Sequence, residues 1–186
     1  MEVINTRFPG LLIIKPRVFT DQRGYFFEGY NEKLFWDHGI SHTFVQDNQS
    51  RSSYGTIRGL HYQLDPFAQT KLLRVIEGHI LDIAVDLRRN SPAFGEHMSI
   101  ELTGENQMQV LIPKGFAHGF AVLSQTAIVL YKCDNLYHAA SERGIHYKDP
   151  ALKIDWKLEG KDIIVSERDA AFPGFKGAEM NFVPET

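Results

Sequence analysis

The chain has 186 residues, enough for one domain (1–186) with its own core, and its 43% hydrophobic and 23% charged residues suit an ordinary globular protein. A net charge of -3 supplies no global basic field, so neither nucleic acid nor an anionic membrane is expected as a partner. No apolar run approaches the roughly 20 residues of a membrane span. Arg7, Pro9 and Gly10 interrupt any secretory leader, and the lone Cys133 cannot form an internal disulfide, so a reducing cytoplasm is the expected location.

Short β-branched and aromatic runs separated by Gly, Asn, Asp or Pro dominate, and helical periodicity is scarce. This pattern predicts an all-β sandwich or barrel. Leu11 to Ile14 opens a first strand, ended or placed at an edge by Pro16. Asp21 to Gly24 reads as a turn and Tyr25 to Tyr30 as a strand. Asn31 to Gly39 is the best short helix, with Asn31 as N-cap, Leu34, Phe35 and Trp36 as anchors, and His38 and His42 at the surface. A polar run, Gln46-Asp47-Asn48-Gln49, precedes Arg58-Gly59-Leu60-His61-Tyr62-Gln63. Strand alternation puts Arg58, Leu60 and Tyr62 on one face of that stretch and Gly59, His61 and Gln63 on the other. A base and a cation beside a glycine suit a site for an anionic substrate, although a histidine in a strand is more often structural.

Lys71 to Ile76 and Ile80 to Leu87 flank Glu77-Gly78-His79, which reads as a hairpin. Asp82 and Asp86 share one face of the second strand, Asp82 being either an acid that orients a histidine or a solvated edge residue. Met98 to Leu102 and Met108 to Ile112 are two further strands, and Pro113-x-Gly-x-x-His118 is a turn that delivers a histidine to the next one. Ala127 to Cys133 is an apolar strand carrying Tyr131, by itself more often a core tyrosine than an acid. The final third is irregular, with Ser166 able to cap a short helix through Asp169 and two prolines in the tail after Phe172.

Taken together, these segments resemble the dTDP-4-dehydrorhamnose 3,5-epimerase family, a cupin-type jelly roll. The resemblance runs from about Gly10 to about Asp169. It rests on Phe19-x-Asp-x-Arg-Gly, Gln46-Asp-Asn, Arg58-Gly-Leu-His-Tyr-Gln, Lys71 followed by Glu77-Gly78, Pro113-x-Gly-x-x-His, Leu130-Tyr-Lys-Cys and Ser166-Glu-Arg-Asp, all in order. It implies that His61 is the base acting at C5 and C3 of a 4-keto sugar, Asp169 its carboxylate partner, Lys71 the cation at the enolate oxygen and Tyr131 the acid on the opposite face. It further implies nucleotide-sugar contacts from Arg23, Glu28, Gln46, Asp47, Asn48, Arg58, Lys71, His118, Glu142 and Arg168, with Asp82 near the site. A homodimer is implied as well, with N-terminal strands crossing to the partner. Gln49 stands where the family often has His, and Arg168 where it often has Lys.

The chemistry suits these residue types. Removing a proton α to a ketone needs a positioned base, the developing enolate needs a donor already aimed at its oxygen, and inversion needs a second group on the other face. The planar fork of arginine matches diphosphate oxygens. Nothing in this scheme calls for a metal or an organic cofactor. Three alternatives remain: a relative that inverts one carbon only, a metal-dependent cupin and a non-catalytic sugar-nucleotide binder. The second draws on Pro113-x-Gly-x-x-His118 but lacks a His-x-His pair, because Tyr62 and Gln63 follow His61.

Overall fold

In the computed structural model, which describes residues 1–182, two antiparallel sheets face each other as a cupin-type jelly roll. In chain order the strands are β1 (Glu2–Asn5), β2 (Leu12–Lys15), β3 (Phe19–Asp21), β4 (Gly24–Phe26), β5 (Gln46–Ser53), β6 (Ile57–Gln63), β7 (Lys71–Glu77), β8 (His79–Asp86), β9 (His97–Thr103), β10 (Gln109–Ile112), β11 (Phe116–Val122), β12 (Thr126–Cys133) and β13 (Glu142–Gly144). One sheet has six strands in the order β1-β2-β10-β7-β12-β5, the other five in the order β13-β6-β11-β8-β9. The short pair β3-β4 stands apart from both. Pro184, the second proline of the tail, lies outside the described residues.

Alternation sorts the side chains into layers. Leu73, Val75, Val110 and Val129 of the six-stranded sheet meet Ile80, Ala84, Leu102 and Phe120 of the other sheet in the interior. The opposite face of β8 is apolar too: Leu81, Ile83 and Val85 pack beneath Trp156, Met180 and Phe182. The irregular final third therefore covers the back of the five-stranded sheet, which is why every residue of β8 after His79 is buried. On the back of the six-stranded sheet, Ile14, Leu72 and Leu111 pack against Phe35 and Ile40.

Phe35 belongs to helix α1 (Glu32–Asp37), whose N-cap Asn31 accepts the Leu34 N–H at 3.1 Å. A cap of this kind contributes about 1 kcal/mol. Trp36 does not anchor the helix as its sequence suggested. It is 53% exposed, because a residue one step on from Phe35 points about 100° away around the helix.

Other elements also depart from expectation. A strand precedes the first one predicted: β1 pairs with β2, Val3 opposite Ile14. The strand expected from Tyr25 to Tyr30 is confined to Gly24–Phe26. Glu77-Gly78-His79 is not a hairpin, since β7 and β8 lie in different sheets. Gly78 forms the corner between them, at φ +87°, and an added Cβ would meet the Thr126 carbonyl oxygen and come within 2.8 Å of Ala127 Cα.

The strict alternation expected along β6 also fails. His118 of β11 pairs with His61, but Phe120 pairs with Arg58, so three steps on β6 match two on β11. The extra residue reverses the pleat at Gly59-Leu60 and brings Arg58 and His61 to the same side.

Gly78→Ala should therefore destabilise the protein by about 2–3 kcal/mol, through both the left-handed backbone and the blocked corner. Urea unfolding measures this; a loss below about 1 kcal/mol would mean that the corner relaxes around a side chain.

Candidate active site

A cavity of about 990 Å³ opens between the two sheets. Its five-stranded wall supplies Arg58, His61 and Gln63 from β6, His118 from β11 and Glu142 from β13. Its six-stranded wall supplies Gln46, Asn48, Ser50 and Ser52 from β5, Lys71 from β7 and Tyr131 from β12. Helix α2 (Glu167–Ala170) closes one side with Arg168 and Asp169. Four basic side chains, Arg51, Arg58, Lys71 and Arg168, thus line one cavity of a chain whose net charge is negative.

Asp169 is 3% exposed, and its position is over-determined. Ser166, the N-cap, accepts the Asp169 N–H at 3.1 Å. Carboxylate Oδ1 accepts from His61 Nε2 at 3.0 Å, and Oδ2 accepts the Gly59 N–H at 3.1 Å. Gly59 sits at φ +121° so close to β11 that an added Cβ would lie 2.6 Å from Gly119 Cα. Burial alone would raise the Asp169 pKa, but the hydrogen bond and charge of His61, with the Gly59 N–H, outweigh it and hold the carboxyl well below the usual range. Because Asp169 fixes the proton on Nε2, Nδ1 of His61 is left with the lone pair. Phe172 and the imidazole pack edge to face, ring centroids 5.5 Å apart.

Across the cavity, the Lys71 ammonium lies 5.8 Å from the centre of the Tyr131 ring. Burial lowers the Lys71 pKa, opposed by Cys133, Asp82 and Glu142. Burial raises that of Tyr131, as does Cys133, so the phenol keeps its proton at neutral pH. His118 and Asp82 form a second dyad, Nε2 to Oδ2 at 2.7 Å, with both residues buried. Asp82 is thus an inward acid beside a histidine rather than a solvated edge residue.

At the mouth, Arg58 Nε donates to Ser52 Oγ at 3.0 Å. Glu142 Oε2 accepts from both Arg168 (2.9 Å) and the Tyr137 hydroxyl (2.8 Å). Arg168 also approaches the dyad, 3.5 Å from Asp169 Oδ1.

The fold does not bring every expected residue into this cavity. Asp47 pairs with Lys132 at 2.9 Å on the outer face of the sheet, because alternation along β5 turns it away from Gln46 and Asn48. Arg23 binds Asp21 within the exposed β3-β4 pair, and Glu28 accepts from Asn31; neither lines the cavity of its own chain. Conversely, the cavity contains Ser50, Ser52, Gln63 and Tyr137, which sequence reasoning had not singled out as site residues. The two serines follow from the same alternation that selects Gln46 and Asn48. Tyr137 sits in an irregular loop with no periodicity to reveal it. Among the described residues, no group of three or more His, Cys, Asp and Glu is placed to hold a metal ion.

The sequence model of the dTDP-4-dehydrorhamnose 3,5-epimerase family matches residues 5–177. The chain belongs to that family. A dTDP-4-dehydrorhamnose 3,5-epimerase of Methanothermobacter thermautotrophicus is 50% identical over 167 residues, covering 89% of this chain and 90% of the relative. The crystal structure of the epimerase from Elizabethkingia anophelis superposes with a TM-score of 0.90 at 50% identity, covering 95% of this chain and 97% of that one. A dTDP-6-deoxy-D-glucose-3,5-epimerase from Legionella pneumophila, in complex with dTDP-4-keto-L-rhamnose, gives 0.90 at 47% identity over 95% and 93% of the two chains.

The depressed pKa of Asp169 has a defined consequence for stability. A carboxyl whose folded pKa lies below its unfolded value stabilises the fold above the unfolded pKa, and that contribution disappears as pH falls toward the folded one. The stability difference between the wild type and Asp169→Asn should therefore narrow as pH drops below about 4. Urea midpoints measured between neutral and acid pH test this; a constant difference would mean that the carboxylate is not held as its partners imply.

Proposed function

We propose that the protein epimerises C3 and C5 of dTDP-4-dehydro-6-deoxy-D-glucose, giving dTDP-4-dehydro-L-rhamnose. The observation that carries this reading is the entry of His61 and Tyr131 into one cavity from opposite walls, in a chain of this family. Epimerisation needs a proton removed from one face of a carbon and another delivered to the opposite face.

His61 Nδ1 takes the proton from the carbon beside the C4 ketone, and Asp169 stabilises the imidazolium that results. The C–H electron pair moves into the carbon–carbon bond while the carbonyl pair moves onto the C4 oxygen, where the Lys71 ammonium meets the enolate charge. The Tyr131 hydroxyl then protonates the carbon from the far side; the Tyr131 phenolate regains a proton from solvent and the His61 imidazolium gives its proton up to solvent, which resets both groups. The same cycle at the second carbon completes the reaction without an external oxidant, metal or organic cofactor. Arg58 and Arg168 suit the diphosphate, and Gln46, Asn48, His118 and Glu142 supply further polar contacts to the nucleotide sugar.

The protein works as a homodimer in which Arg23 and Glu28 complete the partner's site. The support is the β3-β4 pair, which joins neither large sheet and leaves Phe19 (51%), Tyr25 (58%) and Phe26 (67%) exposed. Asp47, on the outer sheet face, contributes through Lys132 or the partner rather than inside its own cavity. Among the described residues no helix is long and apolar enough to cross a membrane. The single cysteine fits a cytoplasmic setting.

NMR of dTDP-4-keto-6-deoxyglucose turned over in heavy water tests the reaction directly. Deuterium is expected at both C3 and C5; deuterium at one carbon would identify a single-site epimerase, and none above the blank would refute the reading. His61→Ala should lose exchange at both carbons by at least about a hundredfold while remaining folded. Tyr131→Phe should still exchange, with retention of configuration, and lose inversion.

Sharing of sites between subunits is tested by mixing inactive chains. His61→Ala and Arg23→Ala proteins, unfolded and refolded together, should regain about one quarter of wild-type activity, since half the dimers are mixed and each carries one intact site. No gain would place Arg23 outside the partner's site.

A further inference from the structure

Three consecutive backbone N–H groups in the loop after β12 are each held by a side-chain amide oxygen. Leu136 donates to Asn135 Oδ1 at 2.9 Å, Tyr137 to Gln46 Oε1 at 3.0 Å, and His138 to Gln63 Oε1 at 2.8 Å. Gln63 is 5% exposed, and its other end is equally committed. Nε2 donates to the carbonyl oxygens of Phe67 at 2.6 Å and Leu136 at 3.3 Å. Above this crosspiece the Phe67 and His138 rings stack, 3.7 Å apart and 9° from parallel. One amide thus ties β6 to two separate loops.

The loop it ties carries Tyr137 to the cavity mouth, where the hydroxyl binds the same Glu142 oxygen that takes Arg168. Only a neutral amide meets this arrangement. A carboxylate at position 63 would face two carbonyl oxygens, and an apolar side chain would leave one N–H and two carbonyls without their partner. Two residues from His61 and on the same side of β6, Gln63 has its amide spent on the protein rather than free for a ligand.

We propose that Gln63 is a positioning residue for substrate binding: it fixes the Tyr137 ledge, and through it Glu142 and Arg168, at the mouth of the cavity. The inference rests on the function proposed above. It assigns the ledge to holding the nucleotide portion, so its loss weakens binding more than it slows the proton transfers at His61.

The test is a double-mutant cycle in the full-length protein, with KM and kcat measured for wild type, Gln63→Met, Tyr137→Ala and the double variant on dTDP-4-keto-6-deoxyglucose. Gln63→Met is expected to raise KM about tenfold with kcat changed less than about threefold, and to add less than about twofold once Tyr137 is Ala. Gln63→Glu, nearly the same shape with the wrong polarity, should raise KM as much as Gln63→Met. An undiminished effect in the Tyr137→Ala background would overturn the proposal, because Gln63 would then act on substrate directly. So would a fall in kcat that tracks loss of folded protein at unchanged KM. If Gln63→Met does not fold, Gln63→Glu replaces it in the same cycle. A folded wild type that fails to turn over the sugar counts against the proposed reaction instead, and the cycle is then read as dissociation constants for dTDP, where additivity still overturns the ledge.

Discussion

The Asp169 carboxylate, buried in a short helix near the end of the described chain, is shared between the imidazole of His61 and the backbone N–H of Gly59. These partners stand 108 and 110 residues away in sequence. A buried carboxylate is costly unless its oxygens are satisfied, and here a donor meets each oxygen. The same bonds that make burial tolerable fix the imidazole ring, its tautomer and the approach of α2 to β6. Structural satisfaction and chemical readiness are therefore one arrangement. The glycine is required because its N–H must face the helix while its α-carbon lies against β11.

The second constraint is the facing of two sheets. Alternation along β12 and β7 turns Tyr131 and Lys71 inward with Leu73, Val75 and Val129, so polar groups at one end of the sandwich continue the apolar rows at the other. Burial acts on these two groups in opposite senses for the chemistry. It keeps the Tyr131 phenol protonated, while for Lys71 it is opposed by nearby acidic groups. Opposite them, the added residue in β6 puts Arg58 on the same side as His61. A regular strand would have sent one of the two into the core beneath Trp156.

The mouth of the cavity is built differently from its floor. Floor groups ride on strands whose register is set by long ladders, whereas the Tyr137 loop has no ladder and is held by side-chain amides from β5 and β6. Such amides tie a loop without adding charge. The cationic character of the site is thereby left to Arg51, Arg58, Lys71 and Arg168, where a diphosphate can use it.

The residue order alone determined the strand-rich class, the apolar rows of β7, β8 and β12, the Asn31 and Ser166 caps and, through motif resemblance, the family and most of the cavity's polar groups. These features depend on local periodicity or on side-chain chemistry at fixed spacing, which a chain carries in one dimension. Other features needed three dimensions. Asp47 looked like its neighbours Gln46 and Asn48 until β5 paired with β12 and turned it outward to Lys132. Glu77-Gly78-His79 looked like a hairpin because a glycine between two strands turns the chain in either case, and only sheet assignment separates a hairpin from a corner. Arg58 and His61 were expected on opposite faces because a bulge is set by the partner strand, not by composition. Tyr137 carries no periodic signal, and alternation puts Gln63 beside His61 without revealing its task, since both roles arise from hydrogen bonds between segments dozens of residues apart. Sequence thus specified which groups were available; the pairing of strands and the satisfaction of buried polar atoms decided which of them meet.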